Sequence, residues 1–222
     1  MAVAVSSAML RSVPLFASFP EDPLRLLATL VTRRSATRGS IIMAAGDPTD
    51  SLYIVLSGRL KVMMSDADGK EVILTLIGPG EFFGEMGLID DSPRSASVVA
   101  IEPCELLAIT RRDFKKCLAE NFEMSMAVMR GLVRRLREAD RKIGSLALLD
   151  VYGRVARLLL DMSETVDGQR MVTKRLPKQD IAKMIGASRE MVSRVMKDLQ
   201  VSGFIEMRGS TIVLRNTILL PD

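Results

Sequence analysis

The chain has 222 residues, of which 48% are hydrophobic, a net charge of +4, no histidine and two cysteines. That length allows one large domain or two small ones with a sizeable core. Without histidine, His-based acid–base catalysis, Ser-His-Asp triads and most zinc chemistry are excluded, and Cys104 and Cys117 are too few for an all-cysteine iron–sulfur or zinc site.

The charge is unevenly placed. Residues 151–222 carry 12 Lys and Arg against 8 Asp and Glu, so the first 150 residues are neutral. A basic C-terminal third fits a polyanionic partner, although scattered solvated charge would give the same count. Both cysteines fall in apolar-periodic segments and are expected as buried, reduced thiols. No run of 18 apolar residues and no basic-then-apolar leader occurs, so neither a membrane span nor export is expected, and the chain reads as cytoplasmic.

In chain order, the segment from Val13 to Val31 alternates turn residues with helical spacing and predicts one or two short helices. From Ser40 the pattern becomes short β-type runs: Ile41–Ala44, Ser51–Ser57, Arg59–Ser65, Val72–Ile77, Ala96–Ile101 and Glu105–Ile109. Turn signals at Gly46-Asp-Pro, Ser57-Gly, Asp66-Ala-Asp-Gly and Gly78-Pro-Gly separate them. Strands so spaced, without long helices between them, imply a small antiparallel barrel or roll. Helix returns at Arg111.

A long helix is predicted from about Phe122 to Leu148. Phe122, Ser125, Met129, Leu132, Leu136, Ala139, Ile143 and Leu146 alternate spacings of three and four, the seam of a heptad repeat. At 1.5 Å per residue it would run ~40 Å. Such a helix can lie on its own barrel, but the basic and acidic residues flanking the seam favour a parallel dimer. The pattern restarts after Leu149-Asp150 with an amphipathic helix from Val151. A short strand is expected at Met171–Lys174, then helices at Lys178–Ile185 and Ser188–Ser202, then a hairpin of Phe204–Met207 and Thr211–Leu214. The predicted divisions are 1–120, 121–149 and 150–222.

One stretch between the strands has the chemistry of a nucleotide pocket. Glycines around Gly84 let the backbone approach a ligand. Glu85 can accept hydrogen bonds from a sugar hydroxyl. Arg94 offers a planar fork for a phosphate, with the Ser95 hydroxyl beside it. No catalytic group is among them.

A second constellation lies near the C-terminus. Two short helices joined at Gly186-Ala, followed by a hairpin, make a winged helix-turn-helix. Ser188 is a good N-cap for the second helix. Arg189, Glu190 and Arg194 share a sector of about 140° on it. Arginine can hold guanine O6 and N7 with both arms, and glutamate can accept from cytosine N4. Gln179, Ser188 and Lys197 suit phosphates, which fix register without reading sequence. Helical ion pairs on a solvated face are the plainer explanation of the same residues.

With these residues in view, the chain resembles the CRP/FNR family of bacterial transcription regulators. The resemblance rests on Gly84, Glu85, Arg94 and Ser95, the long helix, Leu146-Ala-Leu-Leu-Asp-Val-Tyr-Gly-Arg154, and Ile185-Gly-Ala-Ser-Arg-Glu-Met-Val-Ser-Arg194. It implies an α+β protein: a cyclic-nucleotide-binding β-roll, a dimerisation helix and a winged helix-turn-helix. By the same resemblance Glu85 would hold the ribose 2′-hydroxyl, and Arg94 and Ser95 the cyclic phosphate. Arg189, Glu190 and Arg194 would read TGTGA-type half-sites in double-stranded DNA. The implied partners are a second copy of the chain and RNA polymerase.

One departure stands out. The family's cyclic AMP receptor protein places an adjacent Thr-Ser pair against adenine, where this chain has Ala139 and Asp140. Ala139 cannot hydrogen-bond, and an ionised Asp140 only accepts. It can accept from adenine N6 and suits a guanine edge, with two donors, better. The effector that the resemblance implies is therefore cyclic AMP or, on account of Asp140, cyclic GMP or cyclic di-GMP, with no metal. In a plainer account Asp140 pairs with Arg137 or Arg141 and touches no base. A constitutive DNA binder with a vestigial pocket, or a nucleotide module acting on an enzyme partner, are the other readings.

Overall fold

The computed structural model describes residues 5–17, 19–174 and 176–215. The outermost parts of the expected first and last domains, residues 1–4 and 216–222, lie outside the described residues. Two compact units, 1–134 and 135–222, meet inside one long helix.

The first unit opens with α1 (Ser7–Arg11), a 3-10 turn at Pro14–Phe16 and α2 (Glu21–Leu30). Ser6 starts α1 by accepting a hydrogen bond from the Met9 amide at 3.2 Å, which satisfies one of the helix's free donors. Eight strands follow: β1 (Val31–Ala36), β2 (Ile41–Met43), β3 (Ser51–Ser57), β4 (Leu60–Ser65), β5 (Glu71–Ile77), β6 (Phe82–Phe83), β7 (Ser97–Ala100) and β8 (Cys104–Thr110). A short helix, α3 (Met86–Ile89), separates β6 from β7, and α4 (Arg111–Glu120) follows β8. The strands form two antiparallel four-stranded sheets, ordered β1-β8-β3-β6 and β2-β7-β4-β5.

All six expected strands are present, each with its ends within one residue of the prediction. Two more were not expected. β1 carries Arg33, Arg34 and Ser35 exposed and shows no alternation; its pairing along β8, from Val31 opposite Ile109 to Ala36 opposite Cys104, makes it a strand. β6 is two residues long and pairs with Tyr53 and Ile54.

The middle strands β3 and β8 are apolar on both faces because both faces are covered. Leu52, Ile54, Leu107 and Ile109 point to a core shared with α1, α2, α4 and the start of the next helix. Tyr53, Val55, Leu106 and Ala108 point the other way, into the space between the two sheets, with Leu60, Val98 and Phe83. The period-two alternation of a strand divides one apolar sequence between two cores. Cys104 is buried in the second of these, as expected, whereas Cys117 on α4 is only half-buried; both are free thiols.

The long helix, α5, spans Phe122–Leu148, as the heptad pattern predicts. It has two apolar faces. Met124, Val128 and Gly131 are buried, the first two in the core of the roll. Phe122 (72% exposed), Leu136 (62%) and Ile143 (64%), from the heptad seam, stand in solvent with Met129 and Leu146. Gly131 sits so close to Phe82 that a Cβ there would lie 2.7 Å from its Cζ.

The second unit continues with α6 (Val151–Met162), β9 (Glu164–Val166), β10 (Gln169–Val172), α7 (Lys178–Ile185), α8 (Arg189–Val201), β11 (Ile205–Arg208) and β12 (Thr211–Leu214). Asp150 caps α6 by accepting from the Gly153 amide at 2.8 Å. The hairpin of β11 and β12 joins β10 and β9 in a sheet ordered β11-β12-β10-β9, of which β9 was not expected. Val155, Leu159, Ile181, Val192, Leu199 and Ile205 fill the core between helices and wing. Among the described residues no helix is long and apolar enough to cross a membrane.

Gly131→Val is expected to lower stability by about 1–3 kcal/mol, the cost of overpacking a filled site, despite the gain in helix propensity. Urea unfolding measures it; unchanged stability would mean the helix does not lie this close to Phe82.

Candidate functional site

The first candidate site is built on the connection from β6 to β7. Gly84 has φ +82°, a region only glycine enters without strain, and a Cβ there would lie 2.4 Å from Nη1 of Arg94. The absence of a side chain is what lets the guanidinium rest on the Gly84 carbonyl, to which Nη1 donates at 2.8 Å. Nη2 donates to the Ser51 carbonyl at 2.7 Å and to the Asp50 carboxylate at 3.2 Å. The guanidinium carbon lies 5.9 Å from the Tyr53 ring centroid, within cation–π range. Tyr53 is itself stacked on Phe83 at 5.2 Å. The backbone of Arg94 is locked as well, donating to Asp47 O and accepting from Gly46 N.

Arg94 is 5% exposed and Glu85 1%. Glu85 precedes α3, and its carbonyl accepts from the amides of Leu88 and Ile89. Ser95 is exposed, with its hydroxyl 3.9 Å from the Met86 sulfur. The fold therefore brings Gly84, Arg94 and Glu85 into one corner, with Ser95 at its outer side. Four polar or charged side chains are buried among the described residues, and three of them, Thr49, Glu85 and Arg94, belong to this corner. Burying charged groups is costly unless they are hydrogen-bonded, which makes this corner a candidate site.

Sequence reading missed the groups that hold this corner. Asp50 and Ser51 grip Arg94, and the Thr49 hydroxyl donates to Ser92 O at 2.9 Å. Most of these bonds end on backbone carbonyls, which leave no mark in residue type; the small polar run Pro48-Thr-Asp-Ser51 was the available signal. Ala139 and Asp140 are both exposed on α5.

The second candidate site is the outward face of α7 and α8. The turn between them depends on Gly186, which ends α7 in the left-handed region at φ +65°. Ser188 caps α8, its hydroxyl accepting from the Met191 amide at 3.1 Å. Val192, Val195, Met196 and Leu199 are buried as the helical spacing predicts. Ser188, Arg189, Glu190, Arg194 and Lys197 are all exposed, as is Gln179 in the first turn of α7. Among the described residues Arg189, Glu190 and Arg194 form no ion pair with one another. Behind this face, Arg154 of α6 donates to the Ile185 carbonyl at 2.8 Å, tying α6 to the end of α7.

Neither cysteine offers a nucleophile. Burial pushes the Cys104 and Cys117 thiols up, so both stay protonated near neutrality.

The two halves match two family models, a cyclic nucleotide-binding domain over residues 33–121 and a Crp-like helix-turn-helix domain over residues 153–220. A roll of this kind joined to such a helix-turn-helix defines a cyclic-nucleotide-binding, DNA-binding transcription regulator, not an enzyme. The chain is 36% identical to the cAMP-activated global transcriptional regulator Vfr of Pseudomonas aeruginosa, over 83% of this chain and 90% of that protein. It is 34% identical to the CRP-like cAMP-activated global transcriptional regulator of Mycobacterium tuberculosis, over 81% and 82%. The solved structure of the c-di-GMP responsive global regulator CLP from Xanthomonas campestris superposes with a TM-score of 0.77 at 31% identity, over 89% of this chain and all of that one. The chain belongs to the CRP/FNR family.

Proposed function

We propose that the chain acts as a homodimer whose affinity for TGTGA-like palindromes is set by a cyclic nucleotide held in the Gly84–Ser95 corner. The observation that carries this reading is the burial of Glu85 and Arg94 around a glycine that tolerates no side chain. In this reading Glu85 accepts from a ribose hydroxyl and Arg94 donates to a phosphate at one site. The bonds to Gly84, Ser51 and Asp50 use three N–H donors of Arg94, and a guanidinium has five. Ser95 adds an exposed hydroxyl beside it.

The dimer reading is supported by the exposed heptad seam of Phe122, Met129, Leu136 and Ile143. With two copies, the α8 helices would meet half-sites about one DNA turn, ~34 Å, apart. In that arrangement Arg189, Glu190 and Arg194 read base edges, while Gln179, Ser188 and Lys197 hold phosphates. Contact with RNA polymerase follows from family membership.

For the effector, relatives named as cAMP-activated favour cyclic AMP, and a structural relative named as c-di-GMP responsive favours a guanine nucleotide. Ala139 offers no hydrogen bond and Asp140 an acceptor only, which suits the paired donors of guanine. Base identity is read at Asp140 in this account, because Glu85, Arg94 and Ser95 meet only the sugar and phosphate that every cyclic nucleotide shares. Ligand acts by binding one arrangement of the α5 helices better than the other.

Calorimetry with cyclic AMP, cyclic GMP and cyclic di-GMP is expected to give measurable binding of at least one; undetectable binding of all three would remove the ligand-gated reading. Arg189→Ala is expected to cost ~1–3 kcal/mol of specific DNA binding and to relax one base position of the half-site. Competition among single-base variants of the palindrome measures this, and unchanged sequence preference would show that α8 does not read the bases.

A further inference from the structure

The loop that delivers Arg94 and Ser95 is held from outside the pocket by a second arginine. Arg111 is the first residue of α4, and its amide donates to Asp50 O at 2.7 Å. Its side chain turns back under the cassette. Nε and Nη2 both donate to Thr49 O, at 3.1 and 2.6 Å, and Nη2 also reaches Gly87 O at 3.4 Å. Nη1 is bonded to the carboxylate of Asp91.

Asp91 is an unusual anchor. It sits in the loop between α3 and Arg94 with φ +58°, a conformation that costs a residue with a side chain. Lys115, one turn along α4 from Arg111, donates to the same carboxylate oxygen at 2.8 Å. The Lys115 ammonium, and with it Arg111, holds the Asp91 carboxyl below the usual range, so the pair is ionised near neutrality.

The segment Thr49–Ser51 is thus gripped from two sides. Arg94 takes Ser51 O and the Asp50 carboxylate, and Arg111 takes Thr49 O. The turn from Gly84 to Gly87 is gripped likewise, Gly84 O by Arg94 and Gly87 O by Arg111. Gly87 admits no side chain either, since a Cβ would lie 2.2 Å from Ser92 O and 2.4 Å from the Thr49 hydroxyl. One guanidinium faces the pocket corner; the other fixes the distance between the three strands of chain that make it. A planar fork with several donors does this where a single ammonium would not.

We propose that Arg111, clasped to Asp91, is the positioning residue for the phosphate end of the pocket: it sets where Arg94 and Ser95 present their donors, without touching the ligand. The proposal rests on the nucleotide-binding reading of the same corner. A displaced anion site weakens binding of the phosphate and, more tellingly, loses the ability to tell its two exocyclic oxygens apart.

The test is calorimetry of the full chain and of Arg111→Ala, Arg111→Lys, Asp91→Asn and the double variant Arg111→Ala/Asp91→Asn. The probes are whichever of cyclic AMP, cyclic GMP and cyclic di-GMP binds the wild type most tightly, and two phosphorothioates of it that differ only in configuration at phosphorus. Arg111→Ala is expected to weaken the nucleotide by about tenfold, a loss typical of removing a supporting group behind a binding side chain. The ratio of affinities for the two phosphorothioates should fall toward one. Arg111→Lys should keep part of the ratio, Asp91→Asn should move both readouts the same way, and the double variant should be no worse than Arg111→Ala. Thermal midpoints should stay close to the wild type. The proposal is overturned if Arg111→Ala and Asp91→Asn keep the wild-type affinity and ratio. It is also overturned if their affinity falls with an unchanged ratio, or only together with loss of the folded state. If the wild type binds none of cyclic AMP, cyclic GMP and cyclic di-GMP, the nucleotide reading itself fails and the clasp falls with it.

Discussion

A buried guanidinium holds the N-terminal unit together at the point where it is expected to work. Arg94 joins the turn after β6, through Gly84 O, to the start of β3, through Ser51 O and Asp50. It is nearly inaccessible, so each donor left unmatched there would cost far more than a bond made in water. The surrounding features follow from that demand. Gly84 is left-handed and has no side chain because the guanidinium occupies the space. Tyr53 presents its ring face, itself braced by Phe83. Thr49 is buried to tie Ser92 to the same segment.

The long helix α5 answers a different demand, that of serving two surfaces with one amphipathic element. Met124, Val128 and Gly131 are buried, and Phe82 fills the space that a side chain at Gly131 would need. Phe122, Met129, Leu136, Ile143 and Leu146, spaced by heptads, are exposed on another side. A helix that only covered its own roll would have charge there. In the second unit the constraint is again a pinned turn. Gly186 ends α7, Ser188 begins α8, and Arg154 holds the Ile185 carbonyl behind them. The exposed face of α8 is thereby presented on a rigid support, as reading base edges requires.

Much of this was legible in the sequence, for physical reasons that differ by element. The bounds of α5 and α7 followed from apolar periodicity and, for α7, from Gly186; α8 followed from the cap at Ser188. The middle strands were legible because a strand covered on both faces is uniformly apolar. β1 was not, because Thr32-Arg-Arg-Ser carries no pattern and only the neighbouring β8 makes it a strand. In the cassette, glycine and paired charges announce themselves by residue type. The clasp of Arg111 on Thr49 O, Gly87 O and Asp91 does not, since two of its three partners are backbone carbonyls and the third lies in an irregular loop. Asp140 marks the opposite case: the residue is plain in the sequence, but its meaning depends on which base it meets.

In the proposed function the nucleotide corner governs DNA binding. Affinity of the purified chain for a TGTGA palindrome, measured by fluorescence anisotropy at one fixed salt concentration with and without saturating cyclic nucleotide, tests it most directly. Fixed salt matters because phosphate contacts make any such affinity salt-dependent. Tighter binding is expected with cyclic AMP, cyclic GMP or cyclic di-GMP present, or weaker binding if the ligand favours the inactive arrangement. No such change is expected on a scrambled duplex. The same affinity for the palindrome with and without every one of the three nucleotides would contradict the proposed function.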